Sequence, residues 1–305
     1  MQETLRELRK DNLDELEKRE KEETAQQFQV IVSWLKVDES DQLSIFDSIS
    51  SEAHKYPGTC DWALKQPKIV SWLKRAHETT FLWLQGNPGT GKSVLASQLG
   101  SFLESHQGGS LTIRHFSTSV YTSSTQYDQI LRSLVLQLVR SHPDLIAHVY
   151  SKYIESKKSP TTKELEQLLL ATGGFTATSW KTEFVHIIFD GLDECEPEQQ
   201  GRIMDLLHRL LAVGSPPSTV FKILLSSRRL PFLEKKLRNK TTVSMTAEKK
   251  SIETAIKIYV NTRLLALRDR FLVHELTQSE IKDIGATVTK RADGKLPTLP
   301  TRFIE

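Results

Sequence analysis

Gly86-Asn87-Pro88-Gly89-Thr90-Gly91-Lys92-Ser93 separates two segments of different periodicity, the apolar run Thr80 to Gln85 before it and the amphipathic stretch Ser93 to Glu104 after it. A strand that turns into a helix through three glycines is suited to holding an anion. Glycine admits the backbone angles that aim successive N–H groups into one concavity, and the helix N-terminus adds partial positive charge. The spacing G-x-x-x-x-G-K-[ST] adds Lys92, able to reach the β- and γ-phosphates of a nucleotide, and Ser93, whose hydroxyl can ligate magnesium. At average residue usage the pattern arises by chance on the order of once in tens of thousands of positions. Gly86, Asn87, Pro88, Gly89, Thr90, Gly91, Lys92 and Ser93 are therefore the expected phosphate-binding residues. Mg2+ with ATP or GTP is the expected cofactor.

Strand and helix patterns alternate downstream. Ser110 to Phe116 predicts a second strand, and Tyr127 to Val139 a helix with Ile130, Leu131, Leu134 and Leu138 on one face. Helices are expected at about 143 to 155 and 162 to 171, then a break at Gly173-Gly174. Glu183 to Phe189 is nearly continuous in apolar residues, as in a buried parallel strand. Helix 198 to 213 and strand 220 to 226 repeat the alternation, which implies an α/β fold: a parallel sheet flanked by helices.

Composition excludes several classes. With 305 residues, 38% of them hydrophobic and 26% charged, the chain can bury a sizeable core. A net charge of +3, with signs mixed along the chain, gives no basic stripe for nucleic acid. Cys60 and Cys195 form neither a disulfide framework nor a zinc signature, which suits a reducing, cytoplasmic setting. No apolar run approaches the ~20 residues of a membrane span.

Two more clusters carry chemistry. Asp190-Gly191-Leu192-Asp193-Glu194 falls where the buried strand should emerge at its carboxyl end, the edge at which open α/β sheets bind ligands. Asp190 is the expected magnesium partner through water, together with Ser93, while Asp193 and Glu194 are candidates to orient or deprotonate the attacking water. An acidic cap on the helix after Pro197 is the alternative. Ser226-Ser227-Arg228-Arg229 ends the next strand, where Arg228 could sense the γ-phosphate or stabilise charge spreading over it, the alternative being a structural ion pair. Lys92, Asp190, Asp193, Glu194 and Arg228 are thus the catalytic candidates. His186 reads as a core histidine, and His115 has no assigned role.

The phosphate loop, the stretch His186 to Cys195 (HIIFDGLDEC) and Lys222 to Arg228 (KILLSSR) together resemble the NACHT domain of the STAND class of NTPases. Tyr56 to Leu73 (YPGTCDWALKQPKIVSWL) and Ile130 to Val139 (ILRSLVLQLV) are similar to its fungal members, in which a GTC-x-W segment precedes the loop. The likeness runs over roughly residues 28 to 294. It implies phosphate and magnesium binding by the loop, a Walker B role for Asp190, a sensor position for Arg228 and a nucleotide-contacting role for Thr59. It also implies nucleotide-driven switching between a closed resting state and an oligomeric signalling state, with homo-oligomers or pairing with related NTPases as the expected assemblies.

The resulting division is a charged helical lead-in at 1–27, a helical segment at 28–79, the nucleotide-binding unit at 80–246, a partial helical domain at 247–294 opened in part by the capping box Thr277-x-x-Glu280, and a disordered tail at 295–305. The lead-in carries nine acidic and six basic residues, with a thin stripe of Leu5, Leu8, Leu13 and Leu16. It is short for an effector domain. Pro297 and Pro300 cannot extend a helix, so a truncated chain or gene model is expected, with a short isoform as the alternative. The functional expectation is a signalling or defence switch with slow nucleotide hydrolysis. The alternatives are a non-hydrolysing scaffold or decoy that pairs with longer relatives and, more weakly, a small-molecule kinase.

Overall fold

Phe81 and Trp83 face one way along their strand and Leu82 and Leu84 the other, yet all four are buried, because the strand has a helical layer on each side. A computed structural model describes residues 2–106, 108–172, 183–212, 219–267, 271 and 277–292, with side chains from Leu13 onward and none at Thr172. Its five strands are β1 (Phe81–Gln85), β2 (Ser110–Phe116), β3 (Phe184–Asp190), β4 (Val220–Ser227) and β5 (Thr241–Ser244). All pairings are parallel and the order is β2-β3-β4-β1-β5. The chain is thus an α/β fold, a parallel sheet flanked by helices, with the glycine-rich loop leaving β1.

Helices α1 (Gln2–Leu35) and α2 (Ser40–Lys55) precede a short 3-10 turn (Asp61–Lys65) and α3 (Pro67–Leu73). Helix α4 (Lys92–His106) follows the loop, and β2 leads to α5 (Tyr127–Arg140) and to α6 (Pro143–Val149), whose axis continues as a π-wound turn over Tyr150–Glu155. Next come α7 (Thr162–Thr172), α8 (Pro197–Ala212) between β3 and β4, α9 (Pro231–Lys236), α10 (Lys249–Ala266) and α11 (Gln278–Arg291). One core joins α1 and α5 to α9 with one sheet face, through Ile187, Phe189, Ile223 and Leu225. The other places α3, α4 and α10 on the opposite face, through Leu82, Leu84, Ile188 and Leu224.

Helix α1 runs unbroken through residue 27, because no glycine or proline separates the charged stretch from the apolar one. Ile31 and Leu35 are fully buried, with Phe28 and Val32 packed beside them, whereas Leu13 and Leu16 lie about 60% exposed. The side chains of Leu5 and Leu8, the Gly173-Gly174 break and the 295–305 tail lie outside the described residues.

The free edge of β2 is closed by two glutamines. Gln137 of α5 accepts from the Arg114 N–H at 2.8 Å and donates to its carbonyl at 2.8 Å; Gln42 of α2 treats Phe116 the same way, at 3.0 and 2.9 Å. Each amide occupies the ladder position of an absent strand. The Gln42 clamp also fixes α2 beside the carboxyl edge of the sheet. At the far end, α10 and α11 cross at Gly285, where a Cβ would meet Leu264 Cδ1 at 2.9 Å. The Thr277–Glu280 capping box forms as expected. No helix among the described residues is long and apolar enough to cross a membrane.

Candidate functional site

Strand β4 lies between β1 and β3, so three carboxyl ends converge on one place: the glycine-rich loop from β1, Ser226 to Arg228 from β4 and Asp190 from β3. Gly89 and Gly91 take φ of 78° and 82°, and the Gly91 carbonyl accepts the Leu95 N–H as α4 begins. That geometry leaves loop amides at the head of a helix. Thr90 is buried and donates its hydroxyl to the Asn87 carbonyl at 2.8 Å, bracing the loop, while Asn87, Pro88 and Gly89 are exposed. Lys92 donates to the carbonyls of Gly86 and Asn87 at 2.9 and 3.1 Å. Burial lowers the Lys92 pKa, opposed by the charges of Asp193, Asp190 and Glu194.

Asp190 is 4% exposed and accepts a hydrogen bond from the Ser226 hydroxyl. Burial raises its pKa, and the hydroxyls of Ser226 and Ser93 together with Lys92 pull it back down. A buried carboxyl beside a serine at a helix start suits a small hard cation, which takes few protein ligands and completes its shell with water and phosphate oxygens. The described residues contain no cluster of three or more His, Cys, Asp or Glu able to cage a metal by themselves, and such a site needs none.

The two following acids have separate environments. Gly191 turns the chain at φ 77°, and a Cβ there would lie 2.4 Å from the Ser117 carbonyl oxygen. Only glycine lets the acid loop approach the end of β2 this closely. Asp193 accepts two bonds from Arg228, one from its backbone N–H at 2.9 Å and one from Nε, and its side chain is only 6% exposed. Glu194 is 34% exposed and lies 3.8 Å from the Arg228 guanidinium. Arg228 is thus held in an ion pair that was the structural alternative in the sequence, and Glu194 is the less engaged acid.

These groups share a cavity of about 540 Å³, bounded by Gly89, Lys92 and Ser93 on one side and by Asp190, Glu194 and Arg228 on another. Thr59 stands apart from it. Its hydroxyl donates to the Tyr56 carbonyl at 2.8 Å, and the residue borders a small apolar recess of about 30 Å³ with Thr90, Gly91, Met245 and Ile256. His186 is buried edge-on against Trp72 at 5.6 Å, and His115 bonds the Ser124 carbonyl at 2.8 Å; burial pushes each down to about 4. Neither borders the cavity.

Ser226 escaped the sequence reading as a partner of Asp190, although a serine pair directly before Arg228 was the available signal. Ser44 and Ser48 of α2 border the cavity as well. They left no local signal, since nothing in residues 40–55 marks that helix as facing a phosphate loop.

The family model described as nephrocystin 3, N-terminal, matches residues 58–228, which span the phosphate loop, the acid loop and Arg228. No curated protein matches the chain. Among solved structures, that of C. elegans PCH-2 is similar over 90% of this chain at 13% identity and a TM-score of 0.36, and this chain spans 65% of that one.

Proposed function

This chain belongs to the nephrocystin 3 N-terminal family, and from that premise we propose that it is a magnesium-dependent nucleoside-triphosphate switch of the NACHT and STAND kind, fungal in type, with slow hydrolysis. The observation that carries this is the convergence of the glycine loop, Lys92, Ser93 and buried Asp190 on one cavity.

In this proposal the loop amides and the start of α4 hold the phosphates. Lys92 leaves the Gly86 and Asn87 carbonyls for β- and γ-oxygens, a short movement of a flexible cation. Ser93 and Asp190 are the residues that would hold magnesium, which when bound would neutralise phosphate charge. Glu194 takes the proton of the attacking water, being the acid not tied into a double hydrogen bond. Asp193 positions Arg228 at the cavity edge, from which the guanidinium faces charge spreading over the terminal phosphate. Residues 80–246 form the nucleotide unit and α10 with α11 part of the helical one, through which oligomers or pairs with related NTPases would respond.

Turnover of ATP and GTP by the purified chain tests this. Slow, magnesium-dependent release of phosphate that Glu194→Gln suppresses supports it; nucleotide binding with no turnover in the wild type would move the assignment to a non-hydrolysing scaffold.

A further inference from the structure

The cavity, at about 540 Å³, is larger than a phosphate group needs, and helix α2 forms part of its wall. Ser44 and Ser48 stand one helical turn apart and border the same cavity as Lys92 and Ser93, together with Ile45 and Ile49. Among the described residues neither serine hydroxyl has a hydrogen-bond partner. Ser50, which points elsewhere, shares its hydroxyl with Ser97 at 3.3 Å. The acids of α2 keep off this wall: Asp41 takes a bond from Ser123, Glu52 pairs with Lys55, and Asp47 does not border the cavity. The helix is anchored in place by the Gln42 clamp on Phe116 and by the Glu39–Arg140 ion pair.

We propose that α2 reads the terminal phosphate: Ser44 and Ser48 donate to γ-phosphate oxygens, so that the chain separates nucleoside triphosphate from diphosphate through a helix that precedes the phosphate loop. This rests on the phosphate-loop reading above and adds the element that senses the third phosphate. Placement and chemistry agree. The wall borders the same cavity as Asp190 and Glu194, whereas Thr59 lines a separate recess. Neutral hydroxyls can donate to a phosphate there without pairing with those acids, as a lysine would.

The test is a titration of the full chain, in magnesium, with ADP and with the β,γ-imido analogue of ATP, which removes hydrolysis from the measurement. Replacing both serines (Ser44→Ala with Ser48→Ala) should weaken the analogue roughly tenfold and leave ADP within about twofold. Ser48→Trp, which places a large side chain at the α2 wall of the cavity, should cost the analogue more than it costs ADP. Circular dichroism melts check that both variants fold. If either folded variant weakens both nucleotides equally, or neither variant changes the analogue, α2 does not read the phosphate and the proposal falls. A wild-type chain that binds neither nucleotide overturns the phosphate-loop reading itself, a result distinct from the other two.

Discussion

Asp193→Asn separates the roles of the two acids that follow Asp190. The amide keeps the size of the side chain, and its oxygen can still accept the Arg228 backbone N–H that Asp193 accepts at 2.9 Å. What disappears is the charge-assisted bond from Arg228 Nε, because an amide NH2 there would face another donor. A hydrogen bond to a charged group is worth about 1.5–3 kcal/mol, and the guanidinium is 45% exposed, so screening reduces the expected loss to about 1–2 kcal/mol. Glu194→Gln removes only a pair at 3.8 Å with the same half-exposed group, worth about 0–0.5 kcal/mol. Turnover should divide the opposite way. A lost general base costs roughly 10²- to 10⁴-fold, expected for Glu194→Gln, whereas Asp193→Asn should stay within about tenfold of the wild type. Urea unfolding and phosphate release, measured on both variants, give the four values. An Asp193→Asn protein with the wild-type unfolding midpoint and no turnover would refute the assignment and make Asp193 the base.

Gly191→Ala places a methyl 2.4 Å from the Ser117 carbonyl on a backbone at φ 77°. The left-handed penalty alone is about 1–2 kcal/mol, and the clash adds to it, so a loss of at least ~3 kcal/mol in urea unfolding is expected; a loss below ~1 kcal/mol would mean that the acid loop does not lie against β2. His115 and His186 are held near 4, below the ordinary 6.5, so the unfolded chain binds their protons first. The stability that their neutral forms contribute is complete above about 6.5 and is lost as pH falls toward 4, by up to about 2 kcal/mol per histidine at pH 5. Unfolding midpoints at pH 7 and 5 measure this. His186→Phe, in a site already lined by Trp72 and Phe184, should remove from the slope the part that His186 contributes, up to about 2 kcal/mol at pH 5, and an unchanged slope would place His186 in contact with water.

Much of the fold was legible because β1, β3 and β4 are largely apolar runs and because α5 and α8 each carry a clear apolar face. Leu82, Ile187 and Leu224 could be assigned to buried strands from their neighbours alone. Strand β5 could not: Thr241–Ser244 has four residues, only Val243 of them fully buried, and it becomes a strand because β1 offers it an unpaired edge. Helix α2 lies inside the segment expected to be helical, 28–79, but its place beside the cavity was not legible, for a related reason. Its buried residues are only Ile45 and Ala53, and its place is fixed by the Gln42 clamp, a contact 74 residues away in sequence. Within the site, the glycine loop and Asp190 follow from spacing, but which of Asp193 and Glu194 is engaged depends on where Arg228 arrives from β4. That is set by strand order, which local sequence does not encode.

The most direct test of the central claim is a calorimetric titration of the wild-type chain and Lys92→Ala with magnesium and ATP, repeated with GTP. Saturable binding near one nucleotide per chain is expected for the wild type, weakened roughly 10- to 100-fold in the variant, which loses the lysine charge aimed at the β- and γ-phosphates. A matched melt of Lys92→Ala separates this from unfolding, since the same amine braces the Gly86 and Asn87 carbonyls. Equal affinity in the two folded proteins, or no binding of either nucleotide to the wild type, would contradict the claim that this loop is a nucleotide site.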